Sequence, residues 1–182
     1  MARLGNLSRE ELKAEDQKYY DEISGSRGGV RGPYGVLLHS PDLAARVAHT
    51  GAFVRYDFDI PEALKETVII TTAREIKSQY EFAAHARLAR QAGVSDATIK
   101  AIAEGSAPAG LSGEEEMVVR FTQQLLRDRK ITDAAFNAVK DRFGLEGALN
   151  MTVLIGHYLL VGQVLAAFEV ELAPDMTSEL VL

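Results

Sequence analysis

Twenty consecutive residues, Leu149 to Phe168, carry no formal charge. A stretch of that length either crosses a bilayer or must be covered by protein. Asn150, Thr152, His157 and Gln163 interrupt it and no basic cluster flanks it. The expectation is therefore a buried central or subunit-interface helix, with no membrane partner. The remaining chain has to supply the cover. At 182 residues, 47% hydrophobic and 25% charged, it can bury roughly 70% of its unfolded surface, and residues 1–182 read as one domain.

The cover reads as helices throughout, because alternating period-2 runs bounded by turn signals are absent. Ser8 to Glu11 forms a capping box that predicts a first helix to about Ile23. The segment 25–33, GSRGGVRGP, is too glycine-rich for a helix and predicts a loop. A short helical piece follows over 34–39. Ser40-Pro41 starts a helix to about Arg55, and Pro61-Glu62 starts another. Ser78 with Glu81 is a second capping box, opening a helix that Gly93 closes. Ser95 caps the next, Ser112 with Glu115 another, and Thr132 one more. The last helix is expected over 146–171, with a frayed tail after Pro174. The fold class predicted is all-α, a helical hairpin with a long apolar C-terminal helix.

Composition removes several chemistries. The chain has no cysteine, so it holds no disulfide, thiolate nucleophile or Cys-based metal site. Net charge is −6 with no basic stretch, which disfavours nucleic acid as a partner. Segment 25–32 is neither a Walker loop nor a dinucleotide fingerprint, since no strand precedes it. It could instead act as a lid, with Arg27 or Arg31 facing an anionic substrate. Glu-x-x-x-His supplies at most two ligands and no second carboxylate–His pair matches it elsewhere, so no metal is expected. The N-terminus lacks the apolar core of a signal peptide, and a cytoplasmic location is expected.

The helix from Ser78 to Ala92 carries the most informative pair. On a helical wheel Glu81, His85, Leu88 and Ala92 fall within about 60° of one another, opposite Gln79, Arg87 and Arg90. An ionisable pair on an inward face is costly unless paired or used. At i, i+4 the two side chains can touch, and a carboxylate beside an imidazole can orient a proton-transfer group. A second reading stands beside this one: Glu at the third position of a capping box satisfies a backbone amide, and His85 is then a partly buried core residue. Glu66 precedes a β-branched run, 67–72, that is weak helix material. It is either a solvated residue near a helix start or, if the chain breaks before Ser78 and folds back, a neighbour of the Glu81 helix.

The segment Glu66, Ser78-Gln79-Tyr80-Glu81, His85, followed by Gly93-Val94-Ser95 and Ile99-Lys100-Ala101-Ile102, resembles the core of the carboxymuconolactone decarboxylase superfamily. That superfamily also contains the alkylhydroperoxidase D type. The resemblance is strongest over 61–104. In the peroxidase branch a Glu precedes a Cys-x-x-Cys pair and a His follows it. Here Ser78 and Glu81 stand where the two cysteines would be, and the decarboxylase branch instead carries an aromatic-flanked Glu followed by His, as in Tyr80-Glu81-Phe82 and His85. The resemblance implies an alkylhydroperoxidase D-like helical domain, self-association as a trimer or hexamer, and a cofactor-free lyase acting on a small-molecule carboxylate. His85 would donate the proton, Glu81 would orient it, and Glu66 would be a further acid–base group or exclude water. A thiol peroxidase is not expected. A non-catalytic ligand-binding oligomer is the alternative of a different class.

Tyr80, Ser78, Arg74 and His157 are candidates for binding the substrate. Arg74 could hold a carboxylate bidentately or lie on the surface. Tyr80 could line a pocket or pack. His157 could be a satisfied core histidine or line the pocket.

Overall fold

The computed structural model describes residues 2–182, which form eight α-helices and, among the described residues, no strand. They are α1 (Gln17–Arg27), α2 (Pro33–Leu37), α3 (Pro41–Ala52), α4 (Glu62–Glu75), α5 (Gln79–Gln91), α6 (Asp96–Glu104), α7 (Gly113–Gln123) and α8 (Asp133–Ala167). Two π-helical turns, Phe53–Asp57 and Gln124–Asp128, prolong α3 and α7. Gly144 (φ 76°) kinks α8, so its two halves are the two helices expected from Thr132 onward.

Helix α4 is the hub. It packs on α5, α6, α7 and α8, and every residue from Leu64 to Ala73 is buried. The β-branched run is tolerated because its threonines satisfy themselves. The hydroxyls of Thr67, Thr71 and Thr72 donate to the carbonyls four residues back at 2.7–2.8 Å. Val68 and Ile69 join one apolar cluster with α2, α3 and α8, while Ile70 and Ala73 join a second with α5 and α6.

Antiparallel α4 and α5 are joined by a tight Schellman turn: Lys77 N–H donates to Arg74 O and Ser78 N–H to Ala73 O, with Lys77 at φ 58°. Ser78 then caps α5 through Glu81 N–H at 3.4 Å. Serines 95 and 112 cap α6 and α7 as the sequence predicts.

Three expectations fail. The loop expected over 25–33 is shorter, because α1 continues through Gly25 and Ser26 to Arg27 and ends only at the left-handed Gly28 (φ 69°). Ser8 N–H does donate to Glu11, at 2.7 Å, but residues 9–16 form turns and α1 starts only at Gln17 and runs to Arg27. In that stretch only Leu12 is buried, too little apolar surface to anchor a helix. The tail after Pro174 is irregular but docked. Leu180 is buried, Val181 N–H donates to Ala103 O, and Arg90 pairs with Glu179 at 2.7 Å.

The uncharged segment is packed along one face only. Met151, Leu154, Ile155, Tyr158, Val161 and Leu165 are buried, whereas Leu145, Leu149, Val153 and Leu160 form an exposed apolar stripe on the other side.

Candidate functional site

The α4–α5 hairpin brings Glu66 and His85 together across 19 residues of chain. His85 Nδ1 lies 2.8 Å from Glu66 Oε2. An ionised carboxylate only accepts, so Nδ1–H donates to Glu66 and Nε2 is the ring nitrogen that faces Glu81. Glu81 Oε2 stands 3.6 Å from that Nε2, beyond direct hydrogen-bond length. All three side chains are buried: Glu66 is 0% exposed, Glu81 5% and His85 8%.

The reason Glu81 is available lies in the turn. A complete capping box would return its carboxylate to Ser78 N–H. That N–H is already bonded to Ala73 O. Only half the box forms, and the Glu81 side chain is left facing His85. Burial raises the Glu81 pKa, against the pull of His85 and Arg27, which lower it. Glu81 is thus the carboxyl in this cluster biased toward holding a proton.

Glu66 is balanced by a residue with no sequence signal. Arg55, in the π-turn after α3, places Nη2 2.6 Å from Glu66 Oε1 and Nη1 2.8 Å from Glu62 Oε1. The Arg55–Glu66 contact is an ion pair whose N–H is not aligned on Oε1. π-turns of this kind re-aim single side chains and recur at functional sites.

Helix α8 closes the other side. Tyr158 meets the His85 ring edge-to-face at 4.9 Å, and His157 meets Tyr158 at 5.6 Å. His157 Nε2 lies 3.3 Å from Tyr34 Oη. Burial, joined by the charges of Arg27 and His85, lowers the His157 pKa to about 4, so the ring is neutral at pH 7. Burial pushes Tyr34 up to about 12 and Tyr158 well above the ordinary tyrosine value, so both are hydroxyl donors. Arg27, the last residue of α1, stacks over Tyr34 at 4.1 Å.

The other candidates from sequence are dispersed. Ser78 is the N-cap of α5. Tyr80 packs on the glycine loop; a Cβ on Gly32 would sit 2.8 Å from its ring. Arg74 lies at the far end of α4 beside Gly105, away from His85. His157 both bonds Tyr34 and lines a groove of about 340 Å³ between α3 and α8, with Val47, Thr50 and Val153. Among the described residues no three His, Asp or Glu side chains converge as a metal site.

Residues 41–124 match the carboxymuconolactone decarboxylase family, a span that includes Arg55, Glu66, Glu81 and His85. No curated protein matches the sequence. An alkylhydroperoxidase AhpD core, an uncharacterized peroxidase-related protein from Ralstonia eutropha JMP134, superposes with a TM-score of 0.79 at 15% identity, covering 96% of this chain and 93% of that one. The debrominase Bmp8 superposes with a TM-score of 0.74 at 14% identity, both in its apo form and as a variant in complex with 2,3,4-tribromopyrrole; 93% of this chain and 91% of that one are covered. At those identities the likeness is one of fold. Residues 41–124 thus match the carboxymuconolactone decarboxylase family, and the whole chain has the fold of the alkylhydroperoxidase AhpD core.

Proposed function

We propose that the protein is a cofactor-free lyase of the carboxymuconolactone decarboxylase type, acting by acid–base chemistry on a small carboxylated lactone or related ring acid. The observation that carries this reading is the buried Glu66–His85–Glu81 arrangement, with one carboxyl on each side of a single imidazole. Glu66 fixes the ring through Nδ1, and the opposite nitrogen, Nε2, works beside the protonatable Glu81. In the reaction the ring–carboxylate bond breaks and CO₂ leaves. The electron pair moves through the C=C bond into the lactone carbonyl, and His85 delivers a proton to carbon. The 2,3,4-tribromopyrrole bound by the debrominase neighbour is also a small five-membered ring, the size class a lactone acid would occupy. No thiol peroxidation is proposed, because the chain holds no cysteine. Assay of the wild type and His85→Ala against a panel of unsaturated lactone acids tests the reading. Turnover by the variant within a few-fold of wild type would sink it.

Self-association belongs to the same proposal, through the exposed stripe of Leu145, Leu149, Val153 and Leu160 on α8. The groove that reaches His157 runs along this face, so a neighbouring subunit would wall it. A second reading, a non-catalytic small-ligand-binding oligomer, draws on the burial of Glu81 and His85. It predicts ligand binding without turnover.

A further inference from the structure

Arg27 is the charged group of the cluster that the chemistry above leaves unemployed. Its Nη2 donates to Ala48 O at 3.2 Å, and its Nε is buried without a hydrogen-bond partner. Among the described residues it makes no ion pair, since Glu62 and Glu66 pair with Arg55 and Glu81 faces His85. A half-buried guanidinium with unused donors is costly unless something binds them.

The backbone is shaped to admit it. A Cβ on Gly51 would lie 2.5 Å from Arg27 Nη2 and 2.6 Å from His157 Nε2. The bare glycine lets both groups stand together, and Val47, Thr50 and His157 around it line the groove. Arg27 is also close enough to Glu81 to act on its carboxyl electrostatically.

We propose that Arg27 is the oxyanion-holding residue of the site, its free N–H groups binding the enolate oxygen of an unsaturated lactone as charge arrives there. The inference rests on the lyase reading. A guanidinium paired with the departing carboxylate would stabilise the ground state and slow its loss. Donors aimed at the carbonyl oxygen, which gains the electron pair as CO₂ departs, act on the transition state instead. Burial biases Glu81 toward its neutral form, so it does not hold Arg27 in a competing salt bridge.

Tetronate, the stable enolate of a five-membered lactone, is the probe, with its neutral O-methyl ether as control. By calorimetry wild type binds tetronate about tenfold or more tightly than the ether, and Arg27→Gln removes that preference while Arg27→Lys keeps part of it. Equal tetronate affinity in wild type and Arg27→Gln, or no binding to wild type, overturns the inference. Should Arg27→Gln fail to fold by circular dichroism, the Arg27 Nε–H resonance of the wild type decides. Tetronate shifts it if the inference holds, and an unmoved signal refutes it. Turnover of lactone acids is read separately. Arg27-dependent tetronate binding without turnover removes the lyase reading and leaves the anion site, whereas turnover with Arg27-independent binding does the reverse.

Discussion

Glu66 on α4 accepts a hydrogen bond from His85 Nδ1 on α5 at 2.8 Å, and the same carboxylate meets Arg55 at 2.6 Å. One buried side chain thus orients the imidazole and neutralises a guanidinium. Glu66→Gln keeps an acceptor but strands the Arg55 charge, whose other partner, Glu62, is exposed. Breaking a buried pair from one side costs about 3 kcal/mol. A fall of that order in urea-melt stability is expected, and an unchanged midpoint would show that Arg55 is neutralised elsewhere.

His85→Gln tests the imidazole without emptying its space. Loss of a positioned acid–base group costs roughly 10² to 10⁴ in rate. We expect kcat/KM on the true substrate to fall by about that factor, with an unchanged far-UV spectrum.

Glu81→Gln separates stability from function. Burial raises the carboxyl's pKa, so its contribution to stability is present at low pH and is lost as pH rises through the folded value. The neutral amide escapes that loss. The variant should melt higher than wild type at pH 8, the difference shrinking toward pH 4, while its activity falls. A variant less stable than wild type at pH 8 would contradict the assigned direction.

His157 has the opposite sign. Its pKa falls from 6.5 to about 4, so the unfolded chain binds the extra proton between those values. Stability from this group is complete above pH 6.5 and is lost progressively as pH falls to about 4, by at most ~3 kcal/mol. His157→Gln can still bond Tyr34 and should flatten that part of the stability–pH curve. Denaturant midpoints at pH 7, 5.5 and 4 measure it.

Leu149 is 62% exposed in the middle of the α8 stripe. Leu149→Glu should leave the protomer folded and lower the assembly mass seen by light scattering. The same mass for both proteins would move the interface elsewhere.

Much of the helical framework was legible because capping and helical periodicity act within a few residues. The Ser78, Ser95, Ser112 and Thr132 caps mark real helix starts. The wheel of α5 correctly turned Glu81 and His85 inward. Ser8 misled because a local cap cannot hold a helix that lacks an apolar face.

Glu66 marks the limit of that legibility. From residues alone a solvated glutamate near a helix start was an open reading, yet it is wholly buried. Glu81 was expected to orient His85 from one turn away, whereas the direct hydrogen bond comes from Glu66. Arg55 and Tyr34 carried no signal, since each reaches the cluster from a different helix or turn.

The sequence by itself determined an all-helical chain, the inward placement of Glu81 and His85, and the absence of thiol chemistry. These follow from short-range geometry and from composition. Only the tertiary structure decided which carboxyl holds the imidazole and which cation balances it. The Schellman turn occupies Ser78 N–H and frees Glu81, and packing of α4 against α5 and the π-turn sets Glu66 between His85 and Arg55. Partner choice across 11 residues to Arg55 and 19 to His85 depends on how helices pack, which no local periodicity encodes.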